Sequence, residues 1–181
     1  MQRNLKTLKL VYSAALLAIG MVLPFLTGQI PQIGSKLSPL HLPVLVCGFL
    51  CGWQYGLAVG AILPLLRSMI FGMPPLFPTA AAMAAEMAVY GLVTGFLYAR
   101  LPKKKSSIYI ALIAAMICGR LAWGAASLAL YGVAGKAFSW QMFLAGAFIN
   151  AVPAVILQIV LVPVIIMALK NAVPEKQAQR F

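Results

Sequence analysis

Long apolar runs follow one another along this chain, and its polar residues gather at the ends of those runs instead of alternating with apolar ones. A bilayer core about 30 Å thick takes roughly 20 residues of helix. Runs that meet or approach that length lie near residues 8–27, 39–52, 55–71, 78–99, 107–131 and 139–170, some of them short or broken by Gly and Pro. The last is long enough to tilt or bend, and Pro153 and Pro163 give it places to do so. Strict alternation, the mark of a membrane β-barrel, is absent. The pattern predicts an all-α integral membrane protein of six transmembrane helices, folded as a single membrane domain over residues 1–181.

Composition agrees. Hydrophobic residues make up 63% of the 181, charged ones only 9%, and Asp does not occur; soluble domains do not approach such a profile. Lys and Arg in short loops stay on the cytoplasmic side. Arg3, Lys6 and Lys9 precede the first helix, Arg100, Lys103, Lys104 and Lys105 separate the fourth from the fifth, and Lys170, Lys176 and Arg180 follow the sixth. Six spans with both termini cytoplasmic put all of these on one side, leaving Lys36 and Lys136 in outer loops. The expected location is the cell membrane, as a multi-pass protein. The net charge of +12 is then mostly a topology signal, with some attraction to anionic lipid. No basic stripe with interleaved aromatics points to nucleic acid. The basic start and apolar run imitate a signal peptide, but the run is long and Thr27 to Ile33 lacks a small-x-small cleavage site, so a retained first helix is expected.

The chemistry is concentrated in a few residues. Arg67, Glu86 and Arg120 lie inside spans, where charge costs several kcal/mol unless it has a partner or a task. At 1.5 Å per helical residue these three, with Asn150, are expected near one level in the outer half of the membrane. An internal salt bridge through Glu86 would explain part of the set. One carboxylate does not neutralise two guanidiniums, however, and an unpaired buried cation is expensive. Arg offers a planar fork matched to carboxylate or phosphate, so the set predicts a pocket, open to the outside, for a small anion. His41, at the outer start of the second span, is a further ligand candidate or a satisfied interfacial residue.

The outer loops GQIPQIGSKLSPLH (28–41) and FGMPPLFP (71–78) contain Pro and Gly, yet carry Ile33, Met73 and Phe77 beside Lys36. That is too apolar for idle solvent loops, and such segments suit lids over a ligand or plugs on helix ends. Trp53, Tyr55 and Tyr98 read as an interfacial belt near the inner face. Ala14 and Ala18, like Gly56 and Gly60, have the small-xxx-small spacing that lets helices approach closely, within one chain or with another membrane protein. Cys47 and Cys51 are one turn apart and Cys118 is on another helix, with His41 the only histidine. No metal set and no disulfide framework is implied, and buried Cys behaves as a small hydrophobe.

Six spans in 181 residues, the AxxxA of Ala14 and Ala18, the long apolar loop after it, and the runs LSPLHLPVLVCGFLCGWQYGLAVG and MPPLFPTAAAMAAEMAVYGLVTGFLY together resemble the substrate-binding S component of an energy-coupling factor (ECF) transporter. The resemblance covers nearly the whole chain, with Leu37 to Tyr98 its specific part. It implies a subunit that binds a vitamin or related micronutrient from outside. Ala14 and Ala18 would dock on a membrane-embedded T subunit, and two cytoplasmic ATPase subunits would drive the complex. The subunit itself would be neither an enzyme nor a cofactor protein; ATP would be used by the partner subunits, in keeping with the lack of a Gly-rich phosphate loop here.

Among the family's cargoes, the nickel and cobalt members resemble one another through a His-bearing N-terminus, which Met1, Gln2, Arg3 and Asn4 do not supply. The arginine surplus favours a small anionic vitamin, with pantothenate the best fit and riboflavin, cobalamin, folate or niacin as alternatives. A proton-coupled secondary transporter using Glu86 is the rival from another class, though no inverted repeat supports it. An integral membrane enzyme lacks acids, bases and metal ligands.

Overall fold

The structure, a computed structural model, describes residues 2–26, 39–102, 104–135, 137, 139–149 and 151–172. Its helices are α1 (Gln2–Leu26), α2 (His41–Cys51), α3 (Trp53–Phe71), α4 (Ala81–Arg100), α5 (Lys105–Val133), α6 (Trp140–Leu144) and α7 (Val152–Ala172). A π-helical turn, Leu76–Ala80, leads into α4, and a second, Ala145–Ile149, follows α6. Among the described residues five helices are long and apolar enough to cross a bilayer, and α2 is a shorter apolar helix of 11 residues.

Burial is organised for a membrane. Val44, Leu45, Leu63, Met87, Tyr90, Leu112, Val162 and Ile166 fill the interior. Leu10, Ile62, Met69, Ile117, Leu121, Leu128 and Val160 are exposed on the outside of the bundle. In water such a surface would be a liability; in hydrocarbon it is the expected lipid face, and tight packing and small residues must then hold helices together.

Glycine supplies that packing. α4 is central, lying against α2, α3 and α5. A Cβ added to Gly56 would run into the carbonyl of Gly91, one on Gly60 into the carbonyl of Met87, and one on Gly95 into the backbone of Trp53. The Gly56/Gly60 pair is therefore an internal contact, seated on α4 backbone to backbone. Gly52, with φ 96, joins the end of α2 to the start of α3 in a single residue, a conformation that glycine adopts without strain. The chain thus enters on α2 and returns at once on α3. By contrast Ala14 and Ala18 are exposed on α1.

The stretch expected as one long helix over 139–170 is divided. α6 is only five residues long, the π-helical turn and Ala151 intervene, and α7 starts at Val152, next to Pro153. Pro at the second position of a new helix is well tolerated, because its missing N–H would have no helical partner there. The break therefore comes just before Pro153, while Pro163 is accommodated within α7.

Because the glycine contacts involve backbone that cannot step aside, Gly91→Leu is expected to destabilise the bundle by about 3 kcal/mol or more, whereas Ala18→Leu should leave it near wild type. Thermal unfolding of the purified variants in detergent checks both.

Candidate functional site

The antiparallel register set by Gly56 on Gly91 and Gly60 on Met87 decides which charges meet. It places Arg67 opposite Ala80, about 9 Å nearer the C-terminal end of α3 than the level of Glu86. Arg67 is correspondingly engaged elsewhere: Nη1 donates to the Met21 carbonyl at 2.7 Å, and the guanidinium lies over Phe25 and Phe71, 5.3 and 5.2 Å from their ring centroids. Those two rings meet edge to face at 5.0 Å. Arg67 thus clamps the C-terminal ends of α1 and α3, and the structure does not bring it to Glu86. The expected sharing of one level fails for Arg67, because the helix starts assumed from sequence overlooked the glycine register.

Glu86, His41 and Arg120 do come together. The same α2–α4 packing that seats Gly48 against Thr94 and Gly91 brings the N-terminus of α2 to the depth of Glu86, so this half-length helix begins inside the bundle. Oε1 of Glu86 stands 2.9 Å from Arg120 Nη1 and 3.7 Å from His41 Nε2. The His41 ring packs edge-on against Tyr90, centroids 5.2 Å apart. Gly119, just before Arg120, leaves room for the Tyr90 ring. His41 and Glu86 are 3% and 2% exposed, so the carboxylate is fully buried among α2, α4 and α5, with Arg120 less deeply buried.

Arg120 is incompletely satisfied by the described residues. Its Nη1 faces Glu86, while buried Nε and Nη2 have no hydrogen-bond partner among the described residues. Those two nitrogens form the side-on edge of the guanidinium, the edge that takes a carboxylate through two parallel N–H···O bonds. The Tyr90 hydroxyl, Ser127 Oγ and both amide atoms of Gln158 are also buried without a described partner. Buried polar atoms normally find partners, and each exception asks for an explanation.

Tyr90, Ser127 and Gln158 were not singled out from sequence. Tyr90 is one turn from Glu86, Ser127 is two turns from Arg120 on the same face of α5, and Gln158 is the lone polar residue in VPAVILQIVL, so helical spacing from the charged residues would have found the first two. Beyond Arg120, Trp123 stacks on Phe143 with centroids 6.4 Å apart, and Trp140 lies 5.2 Å from Phe143. This aromatic stack fastens α6 to α5. Met73 and Phe77 are half exposed, 48% and 49%, in the segment leading into α4. Ile33, Lys36 and Asn150 lie outside the described residues. Among the described residues no group of three His, Cys, Asp or Glu could hold a metal, and Cys47, Cys51 and Cys118 are free thiols.

The family model described as "ECF transporter, substrate-specific component" matches residues 8–166. No curated protein and no solved structure matches the chain.

The two arginines should respond differently to mutation. Arg67→Met removes a clamp and is expected to lower the unfolding temperature with little effect on ligand affinity. Glu86→Gln leaves Arg120 in place but removes its counter-charge, and breaking a buried pair costs about 3 to 5 kcal/mol. Thermal unfolding with and without ligand separates the two effects.

Proposed function

This chain belongs to the family of ECF transporter substrate-specific components, and from that premise we propose that it captures a small vitamin bearing a carboxylate, with pantothenate the leading candidate, for import by partner subunits. Membership makes it a multi-pass transport subunit of the cell membrane and not itself an enzyme, which displaces the proton-coupled carrier.

The observation that carries the substrate class is the open side-on edge of Arg120, buried beside Glu86. A carboxylate there would complete the hydrogen bonding of Nε and Nη2 in a water-poor setting, where charge-assisted pairs are strongest. With Arg67 held by Met21, Phe25 and Phe71, Arg120 alone supplies the recognition, so a single carboxylate fits better than a phosphate. The buried N-terminus of α2 adds the positive end of a helix dipole near His41, favouring the same sign of ligand. Tyr90, Ser127 and Gln158 supply neutral donors and acceptors that suit the hydroxyl and amide groups of pantothenate. The segment holding Met73 and Phe77 serves as a cover over the site.

Transport needs partners. Ala14 and Ala18, exposed on α1, form the docking face for the membrane T subunit, and two cytoplasmic ATPase subunits supply the energy. The basic ends of the helices support a cytoplasmic side for both termini.

Titration calorimetry of the purified protein with pantothenate is expected to give tight binding that Arg120→Ala weakens by about 100-fold or more, a loss of about 2.7 kcal/mol. Ala14→Trp and Ala18→Trp should bind pantothenate normally yet stop uptake and co-purification with the T subunit. Undiminished binding by Arg120→Ala would remove the substrate reading.

A further inference from the structure

α7 packs on α2 and α5. It turns a stripe of Ala151, Ala154, Gln158, Val162 and Ile166 inward, each of them buried, while Ile156, Val160 and Val164 are exposed on its far side. Within this small and aliphatic stripe Gln158 is fully buried, and neither its amide oxygen nor its amide nitrogen has a partner among the described residues. Ser127 Oγ, buried on α5, is in the same state, so the two do not satisfy each other. Met or Leu would fill the space of Gln158 without the cost of a bare buried amide. A bare amide kept there points to a ligand.

Depth sets Gln158 beside the Glu86 cluster. Successive spans alternate in direction, so α2 and α7 run the same way through the bundle. They line one groove over equal lengths, Leu42 to Leu50 on α2 and Leu161 to Leu169 on α7, which puts Leu161 level with Leu42. Gln158, three residues before Leu161, then lies about 4.5 Å beyond that level. This is within one turn of His41, whose Nε2 stands 3.7 Å from Glu86.

We infer that Gln158 is the specificity-determining residue of the substrate site. With a carboxylate held by Arg120, the Gln158 amide reads a hydrogen-bond donor and an acceptor lying side by side on the same molecule. This role rests on the carboxylate reading above and adds what selects among carboxylates. A primary amide presents its C=O and an N–H along one edge, the complement of a hydroxyl next to a carbonyl. Oε1 accepts from the hydroxyl and Nε2 donates to the carbonyl oxygen. Pantothenate carries this pair as an α-hydroxy amide, joined to its carboxylate by a short flexible link. The Arg120 and Gln158 side chains close the remaining distance between neighbouring helices, whose axes are about 8–10 Å apart. Niacin has a carboxylate and no such pair.

The sign of the effect on stability follows from the same observation. Removing an amide that has no partner leaves nothing unsatisfied behind, so Gln158→Met should stabilise the ligand-free protein while weakening binding. A glutamine with a structural partner would do the opposite.

The test is thermal unfolding and titration calorimetry of the full chain in detergent, freed of bound ligand, with pantothenate, its analogue lacking the α-hydroxyl, and niacin as probes. Ligand-free Gln158→Met is expected to unfold about 2 °C or more above wild type. Wild type should bind pantothenate about 100-fold more tightly than the analogue, and niacin no better than the analogue. Gln158→Met should bind pantothenate and the analogue alike, whereas Arg120→Ala should weaken both. A ligand-free midpoint lowered in both Gln158→Met and Gln158→Leu overturns the proposal, as does a preference for pantothenate that survives Gln158→Met, or niacin bound by wild type as tightly as pantothenate; each of these leaves the carboxylate reading standing. Wild-type protein that binds none of the three probes overturns that reading and the role of Gln158 with it.

Discussion

The contact on which the rest depends is the approach of α3 to α4 through Gly56, Gly60 and Gly91, so close that no Cβ fits between the backbones. Within lipid the hydrophobic effect does not drive helices together, and such contacts, with their many dispersion interactions, take its place. They also set depth. Once Gly60 lies on Met87, Glu86 is held at a given level and Arg67 is carried past it toward the C-terminal end of α3. The separation of the two arginines, one clamping helix ends and one paired with Glu86, follows from that register.

The charges then obey the rule that burial requires partners. Arg67 has a carbonyl and two aromatic faces, which satisfy a guanidinium without any carboxylate. Arg120 has Glu86 on one nitrogen, and its remaining edge is buried among apolar helices. A site of this kind is preorganised: the ion pair fixes the orientation of the fork before a ligand arrives, which lowers the entropy lost on binding. α2 contributes by being too short to span, so that His41 and the helix terminus end at the level of Glu86.

The class of the fold was legible because hydropathy reports spans directly, and the motif-bearing middle of the chain pointed to the family that the family model matches. Glu86 and Arg120 stood out because charge inside an apolar run is rare. Their pairing with each other and with His41, and the absence of Arg67 from it, were not legible. Depth counted from assumed helix starts carries an error of several residues, and six residues of register separate Arg67 from the site. The glycines that fix this register were visible as a spacing, but the spacing does not say whether the partner helix is in the same chain. The division of 139–170 was hidden for a similar reason, since an apolar run reads alike whether it is one helix or two joined by a turn.

The most direct test of this account is mass spectrometry of small molecules released on denaturation from protein purified out of cells grown with vitamins. The account predicts a carboxylate-bearing vitamin, pantothenate foremost, in roughly equal molar amount to the wild-type protein. A neutral or cationic vitamin released in that amount from the wild-type protein would contradict it, because the open edge of Arg120 would then have no anion to receive.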